Sequence, residues 1–126
     1  MSATGRIDEA GFTLIEMLVV LAVTALVSAL AFPQVERAIA LRQFRRDAGA
    51  LETSLQQARA GAILRAETVE FRPSPVADGA KLELPRGGLR FFADGSSNGG
   101  QVSLASGPRR LRLGVDAATG AIRALP

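Results

Sequence analysis

The sequence predicts an α+β protein: one long N-terminal helix, its first half able to cross a membrane, packed on an antiparallel β-meander. Three observations predict it. Residues 12–32 are almost wholly apolar. Beyond Pro33 the apolar and small residues recur every three or four positions as far as Ala62. After Ala66 the texture changes to short alternating segments separated by Gly, Pro, Asn and Asp.

The apolar run from Phe12 to Phe32 holds 21 residues. At about 1.5 Å per residue it reaches roughly 30 Å, the thickness of a bilayer's hydrocarbon core. Thr13, Thr24 and Ser28 can bond back to helix carbonyls, so they do not count against a span. Pro33 follows directly and is expected to kink the helix or mark its exit from lipid. A secretory signal peptide would have a shorter apolar core, of about 7 to 15 residues, with its small-residue cleavage site after the core. Here the best small residue, Gly11, lies before it.

A plain membrane anchor must explain Glu16, a carboxylate inside the apolar run. Such a group costs at least about 2.5 to 3.5 kcal/mol on insertion scales, and marks a functional site by default. A cut between Gly11 and Phe12 removes the conflict. It creates an α-amine one helical turn from Glu16, on the same chain or on a neighbour at similar depth, so the buried charge acquires a partner. The pairing would also set register between stacked chains.

Beyond the span, Phe44, Ala48, Leu51, Leu55, Ala58 and Ala62 form one face of an amphipathic helix. Arg45, Glu52, Gln56 and Arg59 lie largely off that stripe. Gly49 and Gly61 lower helix propensity and are candidate bends. One helix is thus expected from about Phe12 to about Ala66. Six strands follow, over Thr68–Arg72, Lys81–Leu84, Leu89–Phe92, Gln101–Leu104, Leu111–Val115 and Ala121–Leu125. Their short connectors favour antiparallel hairpins, since parallel crossovers need a dozen residues or more. The chain divides into a leader (1–11), a transmembrane half-helix (12–32), an amphipathic half-helix (33–66) and a β domain (67–126).

Composition narrows the chemistry. There is no Cys and no His, which removes disulfides, thiol chemistry, the usual zinc ligands and the commonest general base. No paired carboxylates stand at recognisable spacing, so an enzyme is not expected, and neither a cofactor nor a metal site. Within Phe91 to Gly100, the residues Asp94, Ser96 and Asn98 alternate as in a calcium loop, but Ala105 stands where the twelfth-position Glu belongs. A phosphate cradle would need a Lys and a following helix. A strand connector using Gly and Asn for positive φ is the better account. Asp116 to Gly120 reads likewise as a hairpin turn.

Lys and Arg total 15 against 12 Asp and Glu, for a net charge of +3. Fourteen of the fifteen are Arg, which stays charged and pairs bidentately with carboxylate or phosphate. The densest late cluster is Arg109, Arg110 and Arg112, with Arg123 further on. Arg37, Arg42, Arg45 and Arg46 follow the span, so positive charge is richer after it than before it, against the usual inside bias. The orientation is therefore taken from the cleavage site.

The segment Gly11-Phe12-Thr13-Leu14-Ile15-Glu16, the apolar helix behind it and Pro33 resemble the type IV prepilin family. The resemblance implies a pilin-like fold and a leader removed on the cytoplasmic side by prepilin peptidase, which would also N-methylate Phe12. It implies that Glu16 aligns the subunit in a filament. It places the chain in the inner membrane with a single pass, the N-terminus cytoplasmic before cleavage and the C-terminal domain periplasmic. The pattern from Phe92 through Asp94-Gly95-Ser96-Ser97 to Gly99-Gly100, then Gly114-Val115-Asp116 and Thr119 to Arg123, is similar to the GspH/FimT branch of minor pilins. A GspH-like minor pseudopilin of a type II secretion system is the function this implies, with other major and minor pseudopilins and inner-membrane lipid as partners. The alternative is a FimT-like minor type IV pilin involved in pilus assembly or DNA binding and uptake. There Arg109, Arg110, Arg112 and Arg123 would contact nucleic-acid phosphates, with strongly salt-dependent binding.

Overall fold

A computed structural model describes Gly11 and residues 13–126. The leader up to Ala10 and the new terminus expected at Phe12 lie outside the described residues. Seven elements follow in order: helix α1 (Leu14–Arg65) and strands β1 (Val69–Glu70), β2 (Ala80–Glu83), β3 (Arg90–Phe91), β4 (Gly100–Ser106), β5 (Arg109–Val115) and β6 (Ile122–Leu125). The expected α+β class, one long apolar helix with antiparallel sheets, is present. The chain forms two compact units, divided within α1 between Ile39 and Ala40.

In the first unit α1 is exposed along its whole described length. It is long and apolar enough to cross a membrane. Thr24 Oγ1 donates to the Val20 carbonyl and Ser28 Oγ to the Thr24 carbonyl, each at 2.7 Å. Both hydroxyls are thereby satisfied within the helix, as an apolar solvent requires. Pro33 lies inside α1 and supplies no N–H to the carbonyl one turn back.

In the second unit the predicted stripe is the buried one. Leu51, Leu55 and Ala62 are buried, and Phe44, Ala48 and Ala58 pack beside them. Their partners from the β region are Phe71, Leu89, Phe91, Val102, Leu104, Leu113 and Val115. Alternation along β4 and β5 sends Val102, Leu104, Leu113 and Val115 inward, the period-two rule for a half-buried sheet.

Helix α1 stops at Ala66, which takes a left-handed φ of 53°. Glu67 N–H reaches the Ala62 carbonyl at 3.2 Å and Ala66 N–H the Ile63 carbonyl at 3.3 Å. These are the two bonds of a Schellman cap, with Ala in the place usually held by Gly.

The sheet departs from a simple meander at β3. The larger sheet runs β2-β4-β5-β6, all antiparallel, while β3 leaves it to pair with β1. The reason is local. Strand β3 is only two residues long, between the Gly87-Gly88 turn and the turn that starts at Phe92. The Pro85 ring meanwhile presses on Gly100, where an added Cβ would lie 2.5 Å from its Cγ. Only a glycine lets β4 start there, opposite Val115 of β5.

The segment Phe91–Gly100 joins β3 to β4 as a connector, as expected, but Asn98 does not serve through positive φ. Among the described residues Ala66 is the one non-glycine with positive φ. Asn98 instead uses its side chain as a surrogate peptide group. Its Oδ1 accepts from Arg90 N–H at 2.8 Å and its Nδ2 donates to the Gly88 carbonyl at 3.0 Å, extending the ladder of β3.

Candidate functional site

The acidic residue of the apolar run sits in the first turn of α1. Thr13 precedes the helix, and its Oγ1 accepts the Glu16 N–H at 3.1 Å while its carbonyl accepts Met17 N–H at 3.0 Å. Thr13 is thus the N-cap and Glu16 the third helical residue, the Thr-x-x-Glu spacing of a capping box. A carboxylate there also meets the positive end of the helix dipole. Glu16 therefore has a local role that its sequence context did not suggest, although the Thr13–Glu16 spacing carried the signal.

Gly11 is exposed, and among the described residues an added Cβ would meet nothing within 4 Å. Packing among the described residues does not demand glycine there.

The four late arginines do not form one cluster. Strand register puts Arg110 opposite Ala105 and thence Lys81, Arg112 between Ser103 and Leu125, and Gly114 between Gln101 and Arg123. Arg110, Arg112 and Arg123 therefore share the outer face of the sheet. Arg109 pairs with Ser106, whose other neighbour is the half-buried Ala80, and so belongs to the inner face. This corrects the grouping expected from the sequence: β5 begins at Arg109 rather than Leu111, and adjacent residues on a strand face opposite ways.

Lys81, which the sequence reading missed, joins the outer face. Its signal is the pairing of β2 with β4, which no local pattern announces. The acid on this face is Glu83, whose Oε2 accepts from Ser103 Oγ at 3.4 Å. Arg112 donates to the Pro126 carbonyl. Arg110 and Arg112, two residues apart on one strand face, are spaced at about 7 Å.

A second feature escaped the sequence reading. Arg59, apparently an off-stripe surface residue, pins two loops to the helix. Its Nε donates to the Gly95 carbonyl at 3.0 Å and its Nη2 to the Thr119 carbonyl at 2.9 Å. Around this joint, buried Ser97 donates its hydroxyl to the Asp116 carbonyl at 2.8 Å and accepts Gly99 N–H at 3.0 Å. Asp94 Oδ1 accepts both the hydroxyl and the N–H of Ser96, which holds its carboxyl below the usual carboxylate range. Asp116 is held low in the same way, chiefly by the Thr119 N–H, then by the Thr119 hydroxyl, with a smaller contribution from Arg123. These hydroxyls and carboxylates hold the two turns in shape.

Residues 6–32 match the family model described as the prokaryotic N-terminal methylation motif, so the chain carries a type IV prepilin-like N-terminus. That motif implies processing by prepilin peptidase and assembly with other pilin-like subunits. No curated protein and no solved structure matches the chain.

Proposed function

We propose that this protein is a minor pseudopilin, similar to GspH, of a type II secretion system. In this reading the peptidase cuts between Gly11 and Phe12 and methylates Phe12. The subunit stands in the inner membrane with its β domain in the periplasm, then enters a short pseudopilus at or near its tip. The observation that carries the reading is Glu16: a carboxylate in the first turn of α1, on its exposed apolar half and within the methylation motif of residues 6–32. Alone in lipid it is costly; opposite the Phe12 amine of the same or a neighbouring chain it is a register mark. Pro33 lets the helix bend where the membrane half gives way to the amphipathic half.

The test has two parts. Mass spectrometry of the membrane-bound product should find a methylated Phe12 at its start. Glu16→Val should be processed normally yet fail to sediment with sheared pseudopili. A product starting elsewhere, or normal incorporation of Glu16→Val, would remove the basis for this reading.

A FimT-like minor pilin that contacts DNA is the second reading, favoured by the shared face of Lys81, Arg110, Arg112 and Arg123. Side chains of this spacing suit a phosphodiester backbone, and binding would weaken steeply with salt. Titration with duplex DNA at low and high salt separates the two, and no binding at low salt ends the second. Secretin and pseudopilin genes beside this one would favour secretion.

A further inference from the structure

Within the second unit, the side of α1 turned away from the core carries its own periodic stripe. Arg42, Arg46, Gly49, Thr53, Ala60 and Leu64 are all exposed. Their spacing, in steps of four and three or whole sevens, follows the seam of a two-helix coil. Leu64 is 85% exposed, and an added Cβ on Gly49 would meet nothing within 4 Å among the described residues. Small residues along the middle of the stripe leave room for a second helix to lie close.

Charge says what kind of helix. Arg45 flanks Arg42 and Arg46, so three cations sit within about one turn of helix and repel one another. None of the three has a hydrogen-bond or ion-pair partner among the described residues. The nearest acid, Asp47, points elsewhere: its Oδ2 accepts the Ala77 N–H at 3.2 Å. Between Ala40 and Leu64 the one exposed acid is Glu52. Two copies of this face would set six arginines against two glutamates, a repulsive pairing.

We propose that this face docks an acidic helix of a different pilin-like subunit. That helix places carboxylates one turn apart opposite Arg42 and Arg46, and an apolar side chain opposite Leu64. The proposal rests on the filament-subunit reading above and adds the chemistry of the neighbour. The chain is then a subunit that joins a mixed assembly and does not polymerise with itself through this face.

The test titrates full-length protein in neutral-lipid nanodiscs with a labelled amphipathic helical peptide bearing two Glu one turn apart. The Glu peptide should bind about fivefold more tightly than its Gln twin, the scale of two exposed ion pairs. The double variant Arg42→Glu/Arg46→Glu should invert the order and prefer a Lys twin. Equal binding of the Glu and Gln peptides overturns the proposal, as does an unchanged order in the double variant. Ready disulfide dimerisation of Thr53→Cys, in a chain with no other Cys, would show a second copy on the face and also overturn it. So would Arg42- and Arg46-dependent binding of duplex DNA or anionic vesicles with no binding of the peptide. None of these readouts depends on cleavage at Gly11 or on Glu16, so failure here leaves the pseudopilin reading standing.

Discussion

The Nε–H of Arg59 donates to the Gly95 carbonyl at 3.0 Å, across 36 positions of sequence. With its second bond to the Thr119 carbonyl, this one helix residue ties two otherwise separate turns to α1. Arg59→Ala should destabilise the protein by about 1 to 2 kcal/mol, the scale of two partly exposed hydrogen bonds from a charged donor. Arg59→Lys should recover less than half of that, because an ammonium cannot present two donors in a fixed fork. Denaturant titration followed by circular dichroism measures both.

Gly120 should tolerate no side chain. Its φ is 68°, and an added Cβ would strike the Gly95 carbonyl oxygen and lie 2.9 Å from Arg59 Nε. Gly120→Ala should cost at least about 2 kcal/mol, combining a left-handed backbone with a steric clash against backbone. Because the clash falls on the Arg59 joint, the double variant with Arg59→Ala should be less destabilised than the sum of the two.

Ala66→Gly should do the opposite. The Schellman cap holds Ala66 at a φ of 53°, where a Cβ costs roughly 1 kcal/mol. Glycine should raise stability by about 0.5 to 1 kcal/mol without altering the helix end. A higher thermal midpoint with unchanged helical signal is the expected result.

Acid should loosen the two turns. The folded-state pKa values of Asp94 and Asp116 are depressed by the hydrogen bonds they accept. Their contribution is therefore fully present above the unfolded carboxylate value of about 3.9, and is lost as pH falls through the lower folded values. Stability should be level through these groups from neutral pH to about pH 5 and decline below about pH 4. Asp94→Asn with Asp116→Asn should lower stability at neutral pH and flatten the acid decline. Both carboxylates are exposed, so the effect is modest.

The sequence made the helix and its buried stripe legible, because a 3.6-residue period survives in Phe44, Ala48, Leu51, Leu55 and Ala62 whatever the partner. All six strands were visible as segments, with boundaries that differ by at most two residues. What was hidden depends on pairing. Lys81 reaches the basic face only because β2 neighbours β4, and Arg109 leaves it only because β5 starts two residues early. Arg59 was hidden for another reason: off-stripe helix residues usually face water, and its partners are backbone carbonyls that no side-chain pattern marks. The Thr13–Glu16 spacing is readable as a helix start, but in a membrane-spanning run the cost of a charge in lipid is the stronger signal at Glu16.

Asn98 imitates a peptide group for β3, and it is followed by glycine, the neighbour beside which asparagine most readily cyclises and deamidates. In the folded chain its Oδ1 is held by Arg90 N–H and the attacking Gly99 N–H is held by Ser97 Oγ. The fold thus shields a thermolabile residue. Once converted to aspartate while unfolded, the side chain would set an oxygen against the Gly88 carbonyl where an N–H now donates, and the ladder could not re-form intact. The protein's chemical lifetime is therefore governed by the time its chain spends unfolded, and ageing should accumulate as molecules that have lost the route back.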